Sequence, residues 1–388
     1  MVSLRTNKEY TSAHINNIIP SEFSAFHKNF IRGYTVDITF KKADTLKHHP
    51  EDSALGFGTI FTDYMFNMDY NPQEGWHNPR IEPYGPIAMD PSTMVLHYGQ
   101  AIFEGLKAYK TDSGEIQLFR PQDNLSRLNK SGHMLCMPEL DEDFILKALL
   151  QLLKIEKGWV PGTPGTSLYI RPTIIATDPY IGLRSSNTYR FFIILSPVGA
   201  YYPEGFNPVK IWVTTEYVRA VRGGVGQAKT AGNYAASLYA TSLANKDGYT
   251  QVMWLDGVEL KYVEEVGSMN IFFVIGDELI TPQLNRSILS GVTRDSVIKL
   301  AKSWGVKVVE RKISIDEIYE AHEKEELKEI FGSGTAAVIS PVGNIKFNGK
   351  EITIGDGKVG PLSARLFKDL TNIQYGKAED SFNWTMPV

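Results

Sequence analysis

Lys229 stands in the run GGVGQAKTAGNYAAS, with glycines and alanines on both sides and a helix-like stretch directly after it. Small neighbours let a flat ligand lie against the backbone while the lysine amine reaches it. Such an amine forms a Schiff base with an aldehyde when it is available unprotonated, which partial burial encourages. A solvated surface lysine has the same local pattern, so the chemistry needs partners.

Other segments could supply them. Arg120 ends an apolar strand just before Pro121, a place from which a guanidinium can grip a phosphate with paired donors. SGVTRDSVIKL is a glycine-containing turn opening onto a helix, so the amides of Val292 and Thr293 would face an anion. Arg171 lies two residues beyond Tyr169 and shares its face of a strand. FGSGTAAV, from Phe331 to Val338, reads as a flexible glycine turn.

Taken together, LFRPQDNLSRLNKSG, GGVGQAKTAGNYAAS, EEVGSMN, SGVTR and FGSGTAAV resemble the branched-chain amino acid aminotransferases, which are fold type IV pyridoxal-phosphate enzymes. The likeness runs from FGTIFTDYM, around Phe57, to the C-terminal region. It implies pyridoxal 5'-phosphate as cofactor, held on Lys229, whose freed amine then carries a proton from the substrate α-carbon. It implies Glu265, rather than adjacent Glu264, as the carboxylate facing the pyridine nitrogen, and Tyr234 as the partner of the phenolic oxygen. Arg120, Val292, Thr293 and Thr335 would meet the phosphate. The amides of Thr335 and Ala336 would hold the substrate carboxylate.

Phe57, Tyr98, Phe103, Tyr169, Tyr201, Ser268 and Met269 fall where the family places its substrate pocket, although the aromatic and apolar ones equally suit simple core. A branched side chain offers only methyl groups, and each methylene discriminates by about 1–3 kcal/mol, so an apolar pocket is required. Arg171 would take the distal carboxylate of 2-oxoglutarate or glutamate. The implied reaction is reversible amino transfer from Leu, Ile or Val to 2-oxoglutarate by a homodimer. Ala337 and Ser340 stand where mammalian relatives carry a Cys-x-x-Cys pair, so a thiol switch of that type is not expected. Two alternatives stay open: another fold type IV enzyme (a D-amino acid aminotransferase or an aminodeoxychorismate lyase), and a non-catalytic module that binds a phosphate ligand.

Bulk composition narrows the rest. A net charge of -4 without a basic run argues against nucleic acid, whose binding draws on clustered Lys and Arg. One cysteine, Cys136, excludes an intrachain disulfide and a Cys-based zinc site, and a reducing, cytoplasmic setting fits; no metal is expected among the site groups. The most apolar stretches are far shorter than the roughly 20 residues of a membrane span. MVSLRTNKEYTSAH lacks the apolar core of a signal peptide and reads as an ordinary extension.

The elements that must position these residues follow from periodicity. Strand pairing is expected through MVLHYGQAIFEG, LKAYKT and EIQLFR, with a turn at Ser113-Gly114. Helices are expected from Pro121 and from Asp141, then strands at SLYIRPTIIAT and RFFIILSPVG. Further strands are expected at Lys210–Thr215, Gln251–Leu255 and Val266–Ile275, and helices at Tyr234–Asn245, Arg294–Trp304 and Ile315–Ile330. The fold class is α/β (α+β). Residues 1–199 are expected to make an N-terminal domain, 200–208 a connection rich in Gly and Pro, and 209–388 a C-terminal domain that the resemblance makes the cofactor-binding one, with the site between them.

Overall fold

The computed structural model of the chain describes residues 37–199 and 205–388. Tyr201, most of the connection and the N-terminal extension lie outside the described residues. Ile38–Val388 form one compact unit.

In chain order the unit begins with β1 (Thr39–Phe40), β2 (Tyr64–Asn71), β3 (Gly75–Pro83), helix α1 (Met94–Tyr98), β4 (Ala101–Phe103), β5 (Leu106–Lys110) and β6 (Ile116–Phe119). Helices α2 (Pro121–Met134) and α3 (Glu142–Ile155) follow, then β7 (Ser167–Ala176) and β8 (Tyr189–Val198). Next come β9 (Val209–Val213), α4 (Ala231–Lys246), β10 (Gln251–Leu255), β11 (Val263–Val266), β12 (Met269–Ile275), β13 (Glu278–Thr281), α5 (Val292–Ser303) and β14 (Lys307–Glu310). The chain closes with α6 (Ile315–Glu323), β15 (Leu327–Gly334), β16 (Val338–Phe347), β17 (Lys350–Thr353), α7 (Pro361–Gln374) and β18 (Thr385–Pro387).

Two sheets result. The first runs β1-β3-β2-β8-β7-β5-β6-β18 with β4 beside β7; the second runs β11-β10-β9-β16-β15-β12-β13-β14 with β17 beside β16. The last strand thus returns to the first sheet, pairing Thr385 with Phe119, so chain halves and sheets do not coincide at the C-terminus. No described helix is long and apolar enough to cross a membrane.

The helices form where caps and apolar stripes agree. α2 starts with Pro at its first position, where the missing N–H costs nothing. α3 is capped by the Asp141 carboxylate on the Phe144 amide, and it buries Ile145, Ala148, Leu149, Leu152 and Leu153 against the first sheet.

Three expectations fail for backbone reasons. Met94–Tyr98 is one helical turn, not a strand: Gly99, at φ 62°, closes it with its amide on the Val95 carbonyl. The stretch Val263–Ile275 is a hairpin, because Gly267 (φ 54°) and Ser268 form a two-residue turn between paired Val266 and Met269. The helix from Ile315 stops at Glu323; Glu325 turns left-handed at φ 57°, and Leu327–Gly334 becomes a central strand between β12 and β16. Its glycines therefore belong to a strand end, and only residues 335–337 form the turn.

Candidate functional site

Lys229 precedes α4, whose N-cap is Thr230. The Lys229 backbone is tied on both sides: its amide donates to Ser131 Oγ at 2.9 Å and its carbonyl accepts from the Phe103 amide at 3.0 Å. Thr230 Oγ1 donates to the Ala101 carbonyl at 2.8 Å, which fixes the segment against β4. The side chain is half-buried, with Nζ 2.7 Å from Tyr234 Oη and 5.0 Å from the centre of the Phe103 ring. Tyr234 reaches it because it sits one helical turn further on in α4.

Lys229 and Tyr234 open into a cavity of about 470 Å³, whose walls come from both sheets and the start of α5. Of the residues singled out from the sequence, Phe57, Phe103, Tyr169, Arg171, Glu265, Ser268, Met269, Val292, Thr293, Thr335 and Ala336 also line it. Tyr169 and Arg171 share a face of β7: Arg171 Nη2 donates to Tyr169 Oη at 3.2 Å, and its guanidinium carbon lies 4.7 Å from the Phe103 ring centre. Phe57 meets the Tyr169 ring edge-on at 5.2 Å. Tyr169 Oη lies so close over Gly105 that a Cβ there would be 2.0 Å away, so any larger residue would push the Tyr169 hydroxyl out of its place in the cavity wall.

Glu265 is buried on β11, with Oε2 2.9 Å from Arg219 Nε and Oε1 accepting from the Leu289 amide at 2.7 Å. Burial pushes its carboxyl above the ordinary range, against the pull of Arg219. Neighbouring Glu264 points elsewhere, accepting from Asn285 Nδ2 at 2.8 Å and from Ser287 Oγ.

The anion end differs from expectation. Arg120 does not line the cavity. Its guanidinium turns away, to Asp123 Oδ2 at 2.8 Å and Asp295 Oδ2 at 2.7 Å, because Arg120 itself is left-handed at φ 52° where β6 meets α2. Arg127, two turns into α2, takes the cavity position. It is held by Glu104, with Nε to Oε1 at 2.7 Å and Nη2 to Oε2 at 2.9 Å, while Nη1 donates to the Ser290 carbonyl at 3.0 Å. Glu104 is fully buried; burial would raise its carboxyl, but Arg127 prevails and holds it below the ordinary value. Beside Arg127, α5 begins after Gly291 with no side-chain cap on its first amides. A Cβ at Gly291 would lie 2.0 Å from Asn270 Oδ1, so a larger residue there would displace the Asn270 side chain.

Tyr98 is also absent from the cavity lining. It is exposed at the end of α1, where its hydroxyl donates to the Ile181 carbonyl. Arg127, Glu104, Arg219 and Lys107 escaped the sequence reading. Lys107 is buried, which lowers its ammonium to about 8, and it donates to the Ala336 carbonyl at 2.7 Å. Arg127 had a readable signal: it lies on the inward stripe of α2 with Asn124, Leu128 and Ser131, whereas Arg120 precedes the helix.

Pyridoxal 5'-phosphate suits this donor set. An amine with a phenol beside it, a buried carboxylate, and an arginine next to uncapped helix amides stand around one cavity, matching an aldehyde, a ring nitrogen and a phosphate. Ser333 Oγ is a further buried cavity atom with no hydrogen-bond partner among the described residues.

Residues 101–345 match the amino-transferase class IV family. The chain is 59% identical over 343 residues to branched-chain-amino-acid transaminase 1 of Bacillus subtilis, covering 88% of this chain and 96% of that one. The crystal structure of the Escherichia coli branched-chain amino acid aminotransferase superposes with a TM-score of 0.70 at 28% identity, over 83% of this chain and 98% of the other. The branched-chain amino acid aminotransferase from Thermobaculum terrenum in its PLP-form gives 0.68 at 26% identity, over 84% and 98%. With the family match spanning most of the chain and the curated likeness nearly all of it, this chain belongs to the class IV aminotransferases, on their branched-chain branch.

Proposed function

We propose that the cavity around Lys229 transfers amino groups reversibly between Leu, Ile or Val and 2-oxoglutarate. The observation that carries this reading is the convergence of Lys229 Nζ with Tyr234 Oη, the Glu265 carboxylate and Arg127 on one cavity, in a chain of this family. The pyridoxal phosphate used by class IV aminotransferases supplies, when bound, a ring that draws electron density from the substrate α-carbon.

The protein's own groups do the rest. Lys229 Nζ anchors the aldehyde and, once displaced by the substrate amine, carries the proton removed from the α-carbon. Tyr234 Oη, at 2.7 Å, keeps that amine directed. Glu265 presents a carboxylate that favours a proton on a ring nitrogen placed before it, and that proton in turn restores the carboxylate against its burial. Arg127 and the Val292 and Thr293 amides hold the phosphate, with Thr335 at its edge. Phe57, Phe103, Tyr169 and Met269 shape an apolar wall that excludes water and admits a branched chain. The Thr335 and Ala336 amides take the α-carboxylate, and Arg171, whose Nε is buried without a partner among the described residues, takes the distal carboxylate of 2-oxoglutarate or glutamate.

The working form is a homodimer in the cytoplasm. The exposed apolar side chains Leu96, Tyr98, Ile181 and Leu183, from two segments joined by the Tyr98–Ile181 hydrogen bond, support an interface there. Keto-acid formation from Leu, Ile and Val with 2-oxoglutarate tests the substrate reading. The expected result is turnover of all three and none of D-Ala or aminodeoxychorismate, and loss of all turnover in Lys229→Ala. Preferred turnover of D-Ala or aminodeoxychorismate would replace it with another reaction of the same fold.

A further inference from the structure

Arg120 is excluded from the cavity yet is almost fully buried and satisfied by groups from three parts of the chain. Its amide donates to the Trp384 carbonyl at 2.7 Å, next to β18. Nε meets Asp123 Oδ2 at 2.8 Å in the first turn of α2. Nη1 meets Asp295 Oδ2 at 2.7 Å and Ser296 Oγ at 2.8 Å in the first turn of α5, and the Val292 carbonyl at 3.4 Å. The guanidinium therefore spans the starts of α2 and α5. α2 carries Arg127, and α5 begins with the Val292 and Thr293 amides.

Asp295 makes this more than a tether. A carboxylate in the first turn of a helix is favourable by itself, but it competes with any anion bound at the same helix end. Asp295 is contacted by Arg120 and by Lys299 Nζ, each at 2.7 Å. With Arg120 removed, only the half-exposed lysine would offset the aspartate, and the first turn of α5 would turn more negative where a phosphate must sit.

We infer that Arg120 is a positioning residue of the phosphate end: it locks the α5 start to the Arg127 helix and cancels Asp295, so that the cup formed by Arg127, Val292 and Thr293 accepts a dianion. The inference rests on the cofactor reading above and goes beyond it, because it gives a function to a residue outside the cavity lining.

The test uses full-length enzyme stripped of cofactor and titrated with pyridoxal 5'-phosphate or with pyridoxal, which lacks the phosphate, following imine absorbance. Arg120→Met should weaken pyridoxal phosphate about tenfold or more while changing pyridoxal by less than twofold. Adding Asp295→Asn to Arg120→Met should recover most of that loss, and Arg120→Lys should stay within about threefold of wild type. A merely structural arginine gives a different pattern: both ligands weaken together, and Asp295→Asn does not rescue; either finding overturns the inference, as does an unchanged phosphate affinity. If Arg120→Met does not fold, Arg120→Gln, which keeps donors without charge, carries the same comparison with the same expected loss. Wild-type protein that forms no imine with either ligand sinks the cofactor reading itself, whereas normal wild-type binding with non-selective variants sinks only the role of Arg120.

Discussion

Two arginine–carboxylate pairs flank the cavity, and they are mounted in opposite senses. At the end we propose for the ring nitrogen, Glu265 faces the cavity and Arg219 stands behind it, 2.9 Å away. At the end we propose for the phosphate, Arg127 faces the cavity and Glu104 stands behind it, 2.7 Å away. A lone buried charge is prohibitively costly, so each exposed sign is made tolerable by its hidden partner. One motif, turned round, presents a carboxyl group and a guanidinium to the same cavity.

The comparison ranks the expected consequences of breaking it. Glu104→Gln should have the largest effect on the fold, because it strands Arg127 without its counter-ion; a loss of about 3–5 kcal/mol in denaturant unfolding is expected. An unfolding midpoint within error of wild type would show that Glu104 is not what holds Arg127.

Glu265→Gln should act on chemistry more than on cofactor retention. A fall in kcat/KM of about a hundredfold, near 3 kcal/mol, is expected, with pyridoxal-phosphate affinity changed far less. Arg127→Lys should reverse that split, weakening the cofactor about tenfold through loss of its forked donors while sparing kcat at saturating cofactor. Identical profiles for these two variants would break the polar assignment of the two ends.

The smallest effect should come from Glu156, a buried carboxyl outside the cavity lining that meets the Tyr64 amide at 2.5 Å instead of an arginine. Burial raises it from its ordinary 4.5 to about 7, with Asp63 adding to the rise. The folded state therefore holds its proton more tightly than the unfolded chain, and the penalty is full above about pH 7 and disappears below 4.5. Glu156→Gln should raise the melting temperature at pH 8, with the gain shrinking as pH falls through that window. A gain independent of pH would contradict the assignment.

The sequence made one half of this arrangement legible and hid the other. Lys229, Tyr234 and Glu265 lie in short ordered motifs, where small neighbours and register point to them. Arg127 and Glu104 lie 23 residues apart and become a pair only when β4, β5 and α2 pack together, which no local pattern states. A strand-ending arginine before proline looks like a gripping position, which makes Arg120 look like the phosphate ligand; its left-handed backbone, invisible in composition, turns it away. Likewise the helices with a clear cap and stripe lie near their expected bounds, as at Pro121 and Asp141. Elements decided by one left-handed residue, at Gly99, Gly267 and Glu325, do not.

Borohydride reduction of the holoenzyme, followed by proteolysis and mass mapping, tests the central assignment most directly. A pyridoxyl group on Lys229, absent from Lys229→Ala, is the expected result. A label on Lys107 or any other side chain, or protein that takes up no pyridoxal phosphate at all, would contradict it.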